Sequence, residues 1–171
     1  MITTADKNEL LKSTGEAVSQ LKKLILSVDE DKVNTVPYEG SWTAPQLLTH
    51  VTKSISGTAQ AMGAPGKPAE RDPGQRMDEF KKIFLDFSIK MNSPEFIVPE
   101  DRIYEKATTI EKLEDAFGQL QKNAADANLT ELVEDLPFGP TTKLEILYFT
   151  LVHTQRHLQQ MERICKALKE S

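Results

Sequence analysis

The stretch T-K-L-E-I-L-Y-F-T-L-V-H-T-Q-R-H-L-Q-Q-M-E-R-I-C-K-A-L, residues 142–168, decides the reading of the chain. It reads as one long helix. Thr142 stands where a helix cap belongs, and Glu145 follows three residues on, the spacing of a capping box. On a helical wheel Ile146, Leu147, Leu151, Leu158, Met161 and Ile164 share one side. Glu145, Gln155, Arg156, Gln159, Glu162 and Arg163 share the other. His153 and His157 fall on the apolar side, four residues apart, so one ring sits above the other. A buried imidazole needs partners for both ring nitrogens. Two stacked in an apolar stripe double that need. A shared metal ion satisfies one nitrogen of each ring, and the other N–H can then donate to Thr150, Thr154 or a neighbouring helix. Two hydrogen-bonded core histidines are the other reading of the same spacing.

Similar signals recur upstream. Asp6 with Glu9 opens a helix to about Val28, carried by Leu10, Leu11, Val18, Leu21 and Ile25. The residue before Pro37 closes that region, because it avoids helical dihedrals. Thr43 with Gln46 opens a second helix, with Pro45 tolerated in its first turn. Leu47, Leu48, Val51, Ile55 and Met62 make its apolar face, and His50 lies at the edge of that face. Residues 63–74, rich in proline and glycine, are expected to form a loop without regular structure. Residues 75–90 form a shorter helical segment, with Phe80, Phe84 and Phe87 on one face. Thr108 with Glu111 opens a further helix ending near Asn128. Leu132, Val133 and Leu136 add a short turn, and residues 137–140, P-F-G-P, stop the chain before the last helix. No run alternates as a strand would. The expected fold is all-α: a four-helix bundle with long crossover connections and an extra short helix.

The totals agree. A length of 171 residues suits a single domain, 1–171, with a sizeable core. With 39% hydrophobic and 27% charged residues it is globular rather than disordered. A formal net charge of -5 argues against a general nucleic-acid binder. No apolar run approaches the roughly 20 residues of a membrane span, and the first residues lack a signal peptide's pattern. One cysteine, Cys165, cannot make an internal disulfide, so the cytoplasm is the expected compartment. Its wheel angle matches Leu147, which makes it a packing residue. Trp42 is expected to anchor the core at the entrance of the second helix, and Arg156 to be solvated or a dimer contact. H-T-Q-R-H lacks the glutamate of a zinc peptidase motif. Phosphate-binding loops, zinc-finger cysteines and a G-x-S-x-G elbow are absent too.

Two stretches carry a resemblance. G-S-W-T-A-P-Q-L-L-T-H, residues 40–50, resembles the second-helix signature of the DinB/YfiT-like superfamily. The stretch from Pro137 through His157 and Leu158 is similar to its C-terminal signature, two histidines four apart on the last long helix. The resemblance implies a four-helix bundle, often dimeric, with a metal ion held by three histidines. By position those ligands are His50, His153 and His157. Nickel or zinc is the implied ion, with iron or manganese as further options. It also implies a small-molecule substrate and a metal-dependent hydrolase or an S-transferase using a low-molecular-weight thiol. A binding or stress-response module with a structural or vestigial metal is the alternative. Neither nucleic acid nor membrane is an expected partner, and no side chain identifies itself as the general base.

Overall fold

The computed structural model describes residues 2–171. Four long helices form the body: α1 (Thr4–Leu26), α2 (Ala44–Gly63), α4 (Lys106–Ala125) and α5 (Lys143–Glu170). The short α3 (Met77–Phe84) and a 3-10 turn, Glu95–Ile97, lie in the α2–α4 crossover. Capping boxes at Thr43/Gln46 and Thr142/Glu145 start α2 and α5 as the sequence implies. The first box lies one turn earlier than expected. Thr3 caps α1, and the Asp6 carboxylate accepts the Thr3 backbone N–H at 2.7 Å. At α4 the expected Thr108 cap gives way to a start at Lys106, with Glu105 in the cap position and no side-chain cap. A tertiary bond accounts for the shift: Lys106 Nζ donates to the Val28 carbonyl just past α1, at 2.6 Å. A cation is well placed at that helix end.

Helix directions follow from contacts at the ends. Lys7, near the start of α1, donates to carbonyls of Ala125 and Ala127 at the end of α4, so these two helices run antiparallel. Asn123 of α4 donates to the Ala59 carbonyl of α2, end beside end, so α2 and α4 run parallel. Cys165 lies against the Leu24 carbonyl, so α1 and α5 also run parallel. The main packed pairs are α2 with α4, α1 with α5, α2 with α5 and α1 with α4. The consecutive helices α1 and α2 therefore sit nearly diagonal, and α5 lies between them. Leu21, Ile25, Leu48, Leu113, Ile146 and Ile164 meet in the centre and are fully buried. Each such side chain contributes about 1.5–3 kcal/mol.

Three short strands were not foreseen. β1 (Lys67–Pro68), β2 (Glu131–Val133) and β3 (Thr141–Thr142) form an antiparallel sheet in the order β1-β2-β3. Leu132 pairs with both Lys67 and Thr142. Strands this short carry no readable alternation, and the expected loop at 63–74 and turn at 132–136 each hold one. Gly66 is needed where β1 meets β2, because an added Cβ would lie 2.7 Å from Glu131 Cβ.

Glu145 corrects the wheel. It sits among polar residues there, yet it is fully buried. Arg71 grips it with two bonds, 2.7 and 2.8 Å, and the Arg76 and Thr142 backbone N–H groups donate at 2.8 and 3.0 Å. Burial would raise its pKa, but bonds from Arg71, Thr142 and Arg76 outweigh that and hold it below the usual carboxylate value. The clasp ties the crossover to the first turn of α5. Arg71→Leu strands a buried carboxylate and is expected to cost about 3 kcal/mol in urea unfolding. A loss below about 1 kcal/mol would mean that the clasp holds nothing.

Candidate metal centre

The long α5 places His153 and His157 one turn apart, ring centroids 4.5 Å from each other. The Thr43 cap starts α2 so that His50 faces them from across the bundle. Its ring centroid lies 4.5 Å from that of His157 and 5.2 Å from that of His153. All three rings are buried. Their nitrogens converge: His50 Nε2 lies 3.0 Å from His157 Nε2, which lies 3.2 Å from His153 Nε2. All three ligand atoms fall within 4.8 Å of one another, and among the described residues no carboxylate or thiol joins the group.

The outer nitrogens fix the tautomers. His50 Nδ1–H donates to the Ile97 carbonyl at 2.9 Å. His157 Nδ1–H donates to Gln160 Oε1, also at 2.9 Å. A neutral imidazole that donates from Nδ1 has only a lone pair at Nε2. Two lone pairs thus face each other across 3.0 Å. A proton could relieve that contact, but burial opposes it. The His157 pKa is pushed down to about 3 by burial and by His50 beside it, against the opposing bond from Gln160. Burial also lowers His153, well below its ordinary value, and its two neighbours add to this. His50 is lowered by burial, with the Ile97 bond opposing. A soft-to-borderline divalent cation satisfies all three donors at once, so the donor set fits a metal.

Several expectations need correction. Thr150 and Thr154 do not serve the imidazoles; their hydroxyls donate to carbonyls of Ile146 and Thr150 on their own helix. Gln160 takes that role, at an i, i+3 position that the helix spacing could have indicated. Ile97 could not have been found, since its carbonyl arrives from a non-local turn. Trp42 is only partly buried in the core, and its ring packs at 5.0 Å on His50. Phe149 stacks on His153 at 5.3 Å, with Phe84 edge-on at 5.7 Å. Arg156 is neither idle nor shown at a dimer contact. It donates to carbonyls of Phe84, Asp86 and Ile89, pinning the end of α3 and the segment after it. From the other side α2 stitches the same crossover: Gln46, His50 and Lys53 donate to carbonyls of Glu100, Ile97 and Val98. Cys165 is buried, and burial pushes its thiol up, as suits a packing residue.

Above the triad opens a cleft of about 1330 Å³, walled by both halves of the crossover. A four-helix bundle with three converging imidazoles at the foot of an open cleft defines a class of protein. The chain belongs to the DinB superfamily, whose sequence profile matches residues 14–161. It is similar in fold to YfiT from Bacillus subtilis, described as a probable metal-dependent hydrolase with an unusual four-helix bundle topology. That likeness has a TM-score of 0.64 at 12% identity, covering 97% of this chain and 89% of YfiT. A conserved protein from Enterococcus faecalis gives a TM-score of 0.69 at 11% identity, over 100% of both chains. Among curated proteins none matches. Among the described residues no helix is long and apolar enough to cross a membrane.

The depressed histidines make the metal-free fold acid-sensitive. In the unfolded chain they charge below about 6.5, while in the fold they stay neutral towards about 3 for His157. Their contribution is therefore complete above about 6.5 and is lost as pH falls towards about 3. The urea midpoint of metal-free protein is expected to drop between about pH 7 and about pH 5, and to drop less in His157→Gln. Equal drops would mean that burial does not hold His157 neutral in the fold.

Proposed function

We propose that His50, His153 and His157 hold one divalent metal ion, and that the cleft above it is an active site. The observation that carries this is the pair of Nε2 lone pairs 3.0 Å apart, each fixed inward by an Nδ1–H bond. Nickel or zinc fits the imidazole donors best, with iron or manganese as further options. The reaction class is hydrolysis of a small molecule or S-transfer from a low-molecular-weight thiol. When bound, the ion supplies Lewis acidity, which brings a coordinated water or thiol towards its nucleophilic form near neutral pH.

The protein's own residues do the rest. Ile97 and Gln160 hold the rings in the binding tautomer. Trp42, Phe84 and Phe149 surround them with apolar surface. The crossover, strapped by Arg156 and Lys53, forms the wall against which a substrate would lie. The lack of a fourth protein ligand in the cluster, beside an open cleft, favours this reading over a structural metal, which would be closed by the chain. Among the described residues no carboxylate joins the cluster to act as general base. A homodimer and a cytoplasmic setting belong to the same proposal. A single unpaired cysteine supports the second.

Elemental analysis of untagged protein is expected to give about one metal ion per chain. His153→Ala should lose the ion and keep its helicity; retention of a full equivalent would refute the site. Gln160→Ala should weaken zinc or nickel affinity about 10- to 100-fold, read by competition with a chelator. A screen of esters and thiol transfers, with and without the ion, tests the catalytic half.

A further inference from the structure

Charge in the cleft runs against the charge of the molecule. The chain carries a formal net charge of -5. The cleft is nonetheless lined by Lys53, Lys90, Arg156 and Arg163, with Glu39 as the only acidic lining residue among the described residues. Among the described residues no carboxylate forms an ion pair with any of these four cations. The Asp86 carboxylate, near Arg156, accepts bonds from the Ser88 N–H and hydroxyl instead. Arg156 and Arg163 lie two turns apart on α5, and burial, with Arg163 nearby, lowers the Arg156 pKa. Lys53 and Arg156 spend their donors on backbone carbonyls, which carry no net charge, and Asp86 offsets part of the Arg156 charge from a distance. Between these cations the walls are apolar: Trp42, Phe84, Met91, Phe96, Phe138 and Phe149. Phe96 is 62% exposed and Met91 44%, which is costly apolar surface unless something covers it.

The geometry points to a substrate of one class: a small molecule with an apolar or aromatic body and an anionic group, its body along the aromatic wall and its charge against Arg163, Lys90 and Arg156 at the rim. A cation cluster with low-dielectric walls focuses its field on anions. The volume of about 1330 Å³ exceeds that of a drug-sized ligand site, leaving room for a long body or for two reactants together. The inference deepens the proposed function, because it concerns the same cleft, but it depends on the rim and not on the ion.

Three probes of one chain length separate the contributions: octanoate, octanol and octylamine. Their dissociation constants are measured by calorimetry on the full chain, with zinc and after its removal, and zinc content is measured on the same samples. Octanoate is expected to bind about tenfold tighter than octanol in both forms, with octylamine weakest. Raising salt should erode the advantage of octanoate. Arg163→Gln and Lys90→Gln, both at exposed positions, should each reduce octanoate binding about threefold and leave octanol unchanged. Equal binding of the three probes overturns the inference. So does an octanoate advantage that vanishes with zinc, since the carboxylate would then sit on the ion. If the chain binds no zinc but the advantage persists, the metal reading fails and the anion site stands.

Discussion

His50 and His157 each direct their Nδ1 proton outward, to the Ile97 carbonyl and to Gln160. That leaves two bare lone pairs at contact distance in a setting where burial opposes a proton. Repulsion of this kind survives only if the backbone around it is held firmly. The hold comes from both helices. α2 bonds the last residue of the 3-10 turn and the segment after it through Gln46, His50 and Lys53, a single stripe at helical spacing. α5 bonds the segment after α3 through Arg156. The crossover is thus both the roof of the cleft and the brace of the rings. One histidine bond belongs to both tasks at once.

The helix arrangement explains why the site can be open. α2 and α5 are antiparallel neighbours, and their facing histidines lie near the start of α2 and the middle of α5. The sheet and the Arg71–Glu145 clasp close the other end, where α5 begins. The cleft runs along the α2–α5 seam from the triad to Gln60, Ala61 and Phe138, so this closed end also anchors its far wall. Aromatic packing bridges the two regions: Phe80 meets Phe138 and Phe149 edge to face, and Phe149 then stacks on His153.

Much of the architecture was legible from apolar periodicity, since every long helix carries a stripe that ends in the core. His153 and His157 stood out through the conflict between a polar ring and an apolar face, whereas His50, at the edge of its own face, joined them through the family resemblance. What failed to show was non-local. Glu145 reads as a surface residue until Arg71, far upstream, turns out to reach it. Thr108 reads as a cap until Lys106 is drawn to the end of α1. The strands are too short for a period, and the cation rim draws on α2, α5 and the crossover, which no single wheel can bring together.

The near-diagonal placement of α1 and α2 also bears on how the chain is made. These helices barely touch; α4 packs against both from one side, and α5 completes the cover from the other. It is also made after the other three long helices. Until then the inner faces of α1 and α2, with Leu21, Ile25, Leu47 and Val51, have no complete cover. Nascent chains stalled before residue 143 would thus be sticky clients for chaperones, and completion of α5 would convert them to a closed bundle in one cooperative step.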